Sequence, residues 1–462
     1  LIKEHDYETT YRSIYINDEY GNISQQITQS NGTRVYVPFS RLGIRHAYLN
    51  DLSPVASFIT YNYNRPVNIG KFKHQANNIL KEVRDEFGWM YETYYLKNQK
   101  GQMKYLVWSD VFVCPTCSKE ILFWESALNR KEGKIKKEFL CPHCKQLVTK
   151  RDLDYSRVTN YDRFLDKNIQ QAKLAPVLLN YSNGKHRYDK DPDEYDLNII
   201  TKINSLNIPF WIPTNRMKYG KETRRNDKTG LTHVHHFYSH RNLMLLGAIK
   251  DKIGNDGLLN LLFNSQLINI SKMNRYRIGV TFPYNPLSGT MYVGSLISEP
   301  NVFSAYENKI GKIVNALLNK PHEWAVVETT SLRSNKPNSI DYIFLDPPFG
   351  SNLNYSELSF LWESWMKTWT HDEEEAIVDR KKGKSRNTYQ RLMVKCFIEA
   401  YRMLKPGRWM TVEFSSTKAS IWNIIQSALS QAGFIINDSK ALHKQLGSFK
   451  AVTTPTAVKQ DL

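Results

Sequence analysis

Ile340-Asp341-Tyr342-Ile343-Phe344-Leu345 runs directly into Asp346-Pro347-Pro348-Phe349, and Gly350-Ser351-Asn352 follows. A short apolar run closed by a turn signal reads as a buried parallel strand. Two consecutive prolines end it and stiffen the loop beyond. One carboxylate and one aromatic ring are thereby fixed at a strand's carboxyl end, where open α/β sheets bind their ligands. A planar amine swung out of a nucleic acid needs those two groups, an acceptor for its N–H and a π-face to stack on. The same tetrapeptide also arises as a plain turn after a core strand with a capping aspartate, so the surrounding chain has to decide.

On the C-terminal side the pattern alternates in the manner of an α/β fold. A strand is expected over 323–330, ahead of the Asp346 strand. Helical sequence with Leu361, Trp362, Trp365 and Trp369 follows the tetrapeptide. The acidic 372–375 and basic 380–386 segments read as an exposed loop. A helix over 389–404 ends before Lys405-Pro406-Gly407, and Cys396 reads as a core residue beside Met393 and Phe397. A strand over 409–414, a helix over 419–432 and a strand over 433–436 complete the series, with 456–462 opening a last hairpin partner.

On the N-terminal side, 44–51 reads as a short strand ending in Asp51, followed by Leu52-Ser53-Pro54 and a helix through Tyr61. A carboxylate at that strand end is how such folds hold the ribose hydroxyls of a nucleoside cofactor, although an N-capping Asp would look the same. Val35-Tyr36-Val37-Pro38-Phe39 reads as the first strand. Only Ser40-Arg41-Leu42-Gly43 separates it from the next one, whereas a parallel crossover needs about 10 to 12 residues. Two expectations follow: either a segment with a glycine-rich turn is missing here, or the cofactor site is degenerate.

The chain has 462 residues and a formal net charge of +18, with pI about 9.4. That length suits two to four domains, and that charge suits a polyanionic partner. Aromatic residues are 12% of the chain, with tyrosine the commonest, which serves base stacking as well as cores. No stretch approaches the roughly 20 apolar residues of a membrane span, and no signal peptide is visible. A cytoplasmic protein is expected, and the start at Leu1 together with the ending Val458-Lys459-Gln460-Asp461-Leu462 suggests a fragment at both ends.

Four of the five cysteines fall in Cys114-Pro115-Thr116-Cys117 and Cys141-Pro142-His143-Cys144, with 23 residues between the pairs. Each CxxC offers two thiolates to one tetrahedral ion, and the two pairs complete a structural Zn²⁺ site with no position for water. Disulfides are disfavoured without a secretory signal. The ribbon loop between them carries Arg130, Lys131, Lys134, Lys136 and Lys137, which suits either phosphate contact or a solvated face.

If Asp51 and Thr330 belong to neighbouring strands, the chain between about 65 and 300 is an insertion carrying the ribbon (about 108–150), flanked by 1–64 and 301–462. Within it, Arg216, Lys218, Lys221, Arg224, Arg225 and Lys228 surround Tyr219-Gly220 as a basic loop suited to phosphates or simply solvated. Lys272, Arg275, Tyr276 and Arg277 interleave cations with rings ahead of Phe282-Pro283-Tyr284-Asn285-Pro286. His233, His235, His236 and His240 are dense, and His236 and His240 share helical spacing. No acid lies among them, which favours phosphate contact or packing over a metal.

The tetrapeptide at Asp346 resembles motif IV of the S-adenosylmethionine-dependent amino-methyltransferases, and Asp51 resembles motif II. Most of the chain is similar to the zinc-ribbon-containing adenine-specific DNA methylases associated with restriction and phage-defence loci, most strongly over 298–462. The resemblance departs at motif I, for which Phe39 is the nearest match. It implies a Rossmann-like class I methyltransferase domain, S-adenosylmethionine bound near Phe39, Asp51 and Thr330, and catalysis by Asp346, Pro347, Pro348 and Phe349. It also implies double-stranded DNA as partner, with contacts expected from Lys134, Lys136, Lys137, Arg216, Lys218, Arg224, Arg225, Arg275 and Arg277, and it leaves room for companion defence subunits. The alternatives are cytosine-N4 or RNA amine methylation, and a zinc-containing DNA-binding subunit that has lost catalysis.

Overall fold

The strand Gln99–Val113 organises the largest sheet, because its later residues are buried almost continuously while its start is half exposed. Five strands pair with it, all antiparallel: Glu92–Tyr95, Glu120–Leu122, Asp154–Tyr155, Leu174–Asn183 and Leu296–Pro300. His186–Lys190 extends the sheet from Leu174–Asn183 to seven strands. This computed structural model describes residues 15–41, 43, 46–95, 99–129, 132–280, 284–318, 325–331, 336–350, 353–416, 418–439, 442–443 and 460–461. The architecture is mixed α/β, and no helix among the described residues is long and apolar enough to cross a membrane.

Helices pack beside this sheet through periodic apolar faces. In Ile69–Phe87 the buried positions are Phe72, Ala76, Leu80, Val83 and Phe87, three or four residues apart, and Asn68 caps its start by accepting from Lys71 N–H. His240–Ile253, Gly257–Asn264 and Val302–Leu318 contribute to the same core. Trp365, from the short helix Phe360–Met366 after the tetrapeptide, enters it as well, edge-on to Trp211, Tyr238 and Phe263. The stretch expected as an insertion therefore shares a hydrophobic core with the chain that follows Asp346.

The chain divides into two compact units, Leu1–Leu49 with Pro321–Val326, and Asn50–Lys320 with Val327–Leu462. The first contains the antiparallel meander of Tyr15–Asn17, Asn22–Thr28 and Arg34–Arg41. This corrects the reading of Val35-Tyr36-Val37-Pro38-Phe39. It is a strand, but its partner is Asn22–Thr28 in antiparallel register, and an antiparallel strand needs no crossover. The premise for a missing segment after Phe39 is thus removed.

Ala47–Asp51 pairs with Ala325–Thr329, as expected for neighbouring strands ending near Asp51 and Thr330. Ile340–Leu345 pairs in parallel with Leu404–Val412, matching Tyr342 to Trp409 and Leu345 to Val412. The helices Arg386–Met403 and Ala419–Gln431 pack beside this pair through Tyr389, Met393, Phe397, Ile421 and Ile425. Ile343 is buried against Ala400 and Leu404, while Tyr342, Phe344 and Trp409 are each more than half exposed. A doubly covered parallel sheet buries both faces, and the described residues here cover one.

Two local expectations are corrected. Residues 433–436 form no strand, and Ile435 is 92% exposed. Leu442–His443 instead pairs with Gln460–Asp461. The acidic and basic segments around 372–386 are not a loose loop, since Lys384 is buried and donates to the backbone carbonyls of Asp372, Glu373 (3.3 Å) and Glu375 (2.6 Å). The Glu375 carboxylate is buried too, accepting from Ser356 N–H (2.9 Å) and Oγ (2.6 Å).

Candidate functional site

Asp346 is exposed at the carboxyl end of its strand, and Glu413 N–H donates to Leu345 O at 2.8 Å to hold that end against the parallel neighbour. Pro347 is buried, and Pro348 accepts from the hydroxyl of the fully buried Tyr389 at 2.7 Å. Phe349 is half-buried, perpendicular to Phe414 at 5.5 Å between centroids. Gly350 leaves the loop at φ +76°, a conformation that favours glycine, and its carbonyl accepts from Val378 N–H. The loop is therefore held from three sides while Asp346 stays exposed. Tyr355 lies close by: burial first, then the Asp346 charge, push its hydroxyl up to about 12.

Thr330 N–H donates to Asp51 O at 3.1 Å, so the two residues expected to face a nucleoside lie side by side. Asp51 Oδ1 accepts from Ser53 N–H at 2.8 Å, the start of the helix Pro54–Asn64. Burial raises the Asp51 carboxyl above the usual range, against the two backbone N–H donors of Ser53 and Leu52. Phe39 belongs to the meander, where its ring lies 4.9 Å from Tyr15. A carboxylate thus stands at the end of that strand, but no glycine-rich turn accompanies it in the sequence.

The four cysteines meet at one point. Strands Gln99–Val113 and Glu120–Leu122 form one hairpin with Cys114 and Cys117 at its tip. Glu138–Leu140 and Leu147–Thr149 form a second with Cys141 and Cys144. Both tips close alike, with Ser118 N–H on Cys114 O and Lys145 N–H on Cys141 O, and with Ser118 and Lys145 both at positive φ. The sulfurs of Cys114 and Cys144 are 3.7 Å apart, and those of Cys117 and Cys141 3.8 Å. A disulfide needs roughly 2.05 Å, whereas a tetrahedron of about 2.3 Å metal–sulfur bonds has edges of about 3.8 Å. Backbone N–H groups of Cys117 and Thr116 outweigh burial and pull the Cys114 thiol down to about 6, towards the ligating thiolate. This cluster can hold a structural metal ion.

The expected cationic contacts separate into two kinds. Lys134, Lys136 and Lys137 are exposed on the ribbon, while Arg130 and Lys131 lie outside the described residues. Arg216 and Arg224 instead pair with Asp227 at 2.9 and 3.3 Å, and Arg225 grips Glu222 at 2.5 Å. Lys218 lies over the Phe360 ring. The turn they surround is filled from within: Glu357, fully buried, accepts from Glu222 N–H (2.7 Å) and Thr223 N–H (3.1 Å) and pairs with Lys382 at 3.3 Å. A Cβ at Gly220 would collide with that carboxylate. The nest read as a phosphate seat thus holds the chain's own anion, supplied from 135 residues beyond Glu222. Arg275 donates to Asn285 O at 3.0 Å, Tyr276 packs against Trp124, and Arg277 is exposed. Residues 281–283 lie outside the described residues.

The histidine cluster does contain an acid. Asp162, 73 residues before His235, places Oδ2 2.9 Å from His235 Nε2 and 2.8 Å from His236 Nε2. All three side chains are buried. Burial alone would raise the Asp162 carboxyl, but the two imidazoles hold it well below the usual carboxylate range. His233 packs its ring against those of His235 and His236, 5.8 and 5.2 Å between centroids, and is bonded to Thr232 Oγ1, whereas His240 is bonded to Leu206 O. Asp162, His235 and His236 line a cavity of about 570 Å³ that also receives Trp108, Lys272 and Glu299 and none of the described residues of 301–462. Burial pushes the Lys272 ammonium down to about 8, with Glu299 pulling it back up. The only sequence signal for this centre was the histidine density. No protein-family model matches the chain, and no curated protein and no solved structure shows significant similarity to it.

Proposed function

We propose that this chain is an S-adenosylmethionine-dependent amino-methyltransferase acting on the N6 amine of adenine in double-stranded DNA, within a restriction or phage-defence system. One observation carries the reading: Asp346-Pro347-Pro348-Phe349 stands at the carboxyl end of a parallel strand, braced by Tyr389 and Phe414, with Asp346 exposed. In this reading a base extruded from the duplex stacks on Phe349, and Asp346 accepts an N–H of its amine. That bond draws the nitrogen lone pair out of conjugation with the ring and aims it outward, so that positioning carries most of the rate. The bound cofactor would supply the methyl group, and Asp51 is the residue that would hold its ribose. The cysteine cluster would carry Zn²⁺ and present the ribbon lysines to phosphate.

A second reading keeps the zinc and the DNA and drops catalysis, because Phe39 lies in the meander and the sequence has no glycine-rich turn to meet the cofactor's methionine end. Transfer of labelled methyl groups to duplex DNA, with RNA as comparison, tests both. Asp346→Ala is expected to abolish transfer and leave DNA affinity within a few-fold. Substantial activity in that variant removes the loop from its role. No transfer by the unaltered protein, together with no S-adenosylmethionine binding in calorimetry, favours the binding subunit.

A further inference from the structure

We propose that Asp162 Oδ2, His235 Nε2 and His236 Nε2 form a second metal site, one that binds a divalent transition ion such as Zn²⁺ with its open positions facing the cavity. The inference is independent of the reading of the Asp346 loop. Two imidazoles and one carboxylate are a donor set that Zn²⁺ and Fe²⁺ take with positions left open for other ligands. The three donor atoms lie within 4.8 Å of one another, buried in the wall of a cavity of about 570 Å³.

The surroundings can orient the three donors as a metal requires. If Asp162 Oδ2 merely accepted both Nε2–H groups, each imidazole would carry an unprotonated Nδ1. His236 Nδ1 would then face the carbonyl of Gly230 at 3.2 Å and accept from Thr232 N–H, also at 3.2 Å, a donor it shares with that carbonyl. With an ion on the Nε2 atoms the proton moves to Nδ1, and His236 donates to Gly230 O in the way metal-bound histidines are usually oriented. Thr232 N–H keeps Gly230 O as its alternative acceptor. The carboxylate is oriented as well, since Asp162 Oδ1 accepts from Phe164 N–H (3.0 Å) and Leu165 N–H (3.2 Å), leaving Oδ2 for the ion. Donor separations of 2.8 and 2.9 Å need widen only to about 3.3 Å to span a tetrahedral edge around roughly 2.0 Å bonds.

The test is metal stoichiometry on the full chain, loaded with Zn²⁺ and, in parallel, with Co²⁺. Two equivalents are expected, only one showing sulfur-to-cobalt charge transfer. Asp162→Asn, which keeps the shape and the turn contacts, should lose the equivalent without sulfur character and retain the other, and His236→Gln should behave alike. A single equivalent carrying the charge-transfer band in the unaltered protein, or no loss of an equivalent in folded Asp162→Asn, overturns the proposal. A single equivalent with no charge-transfer band would instead count against the cysteine site, while its loss on Asp162→Asn would still uphold this one.

Discussion

In the loop of residues 216–228 the three arginines pair with carboxylates of the same chain, whereas on the ribbon hairpin Lys134, Lys136 and Lys137 face outward. The difference has a physical root. The loop wraps a buried anion, Glu357, and its arginines brace the wrapping through Asp227 and Glu222, so the charge of those arginines is matched within the chain. The ribbon lysines lie on or next to the short exposed strand Lys134–Ile135, outside the buried cluster that Phe112, Phe123, Phe139 and Val148 form with Cys114 and Cys141. A cation contributes to polyanion binding through the field left after its own partners are counted. By that measure the ribbon is the stronger candidate for phosphate contact, and the loop is a structural joint between 220–223 and the chain just beyond Asp346.

The largest expected effect lies on the ribbon side. Cys144→Ser should lose the ion and unfold both hairpins locally, since structural zinc is worth on the order of 10 kcal/mol where folding and binding are coupled. Hydrogen exchange should show the amides of 114–149 exchanging freely while the helix Val302–Leu318 stays protected. Ribbon amides that remain protected in that variant break the idea that metal sets the hairpins' shape. On the loop side, Glu357→Ala removes a fully buried carboxylate and strands Lys382, whose side chain is 9% exposed. A loss of about 3–5 kcal/mol in urea unfolding is expected. A loss below about 1 kcal/mol would mean that the nest does not depend on its internal anion.

Partners set by short spacing were legible before folding, and partners set by long-range topology were not. The cysteine pairs, the Asp346 loop and the helix after Ser53 each announce themselves within about ten residues or by a repeated motif, whereas the pairing of the strands ending at Asp51 and Thr330 entered only as a condition of the resemblance. Glu357 lies 135 residues from the Glu222 amide it binds, and Asp162 lies 73 residues from His235. No periodicity links such pairs, so the loop read as phosphate-binding and the histidines read as lacking an acid. Phe39 shows the same limit for sheets. Alternating apolar residues identify a strand, but only the partner, here Asn22–Thr28, decides parallel or antiparallel. The seven-stranded antiparallel sheet was hidden for a related reason, since Gln99–Val113 pairs with strands as distant as Leu296–Pro300.

A middle-sized effect tests the ribbon's outward charge. With Lys134, Lys136 and Lys137 all replaced by alanine, the log–log dependence of DNA affinity on salt should become shallower by about 2 to 3, close to 0.9 for each phosphate that a lysine no longer neutralises. The folded core should be unaffected, because all three side chains are exposed. An unchanged slope would move phosphate binding elsewhere, with the exposed Arg277 as the next candidate.

The smallest expected effect is the sharpest test of the comparison. Arg225 holds Glu222 through Nε (2.9 Å) and a second guanidinium nitrogen (2.5 Å), and Glu222 also accepts from Thr290 Oγ1 and Met291 N–H. Its charge is therefore matched inside the protein before any DNA arrives. The Glu222 carboxyl is held below its usual range, Arg225 and Thr290 outweighing the burial that would raise it, so the matching anion is present throughout neutral pH. Arg225→Gln should accordingly change the salt slope by less than about 0.3, well under the value for one neutralised phosphate. A change near 0.9 would show that Arg225 leaves Glu222 for a phosphate on binding. The loop would then open onto DNA, and Glu222, left without its guanidinium, would become the residue to follow by its pH dependence.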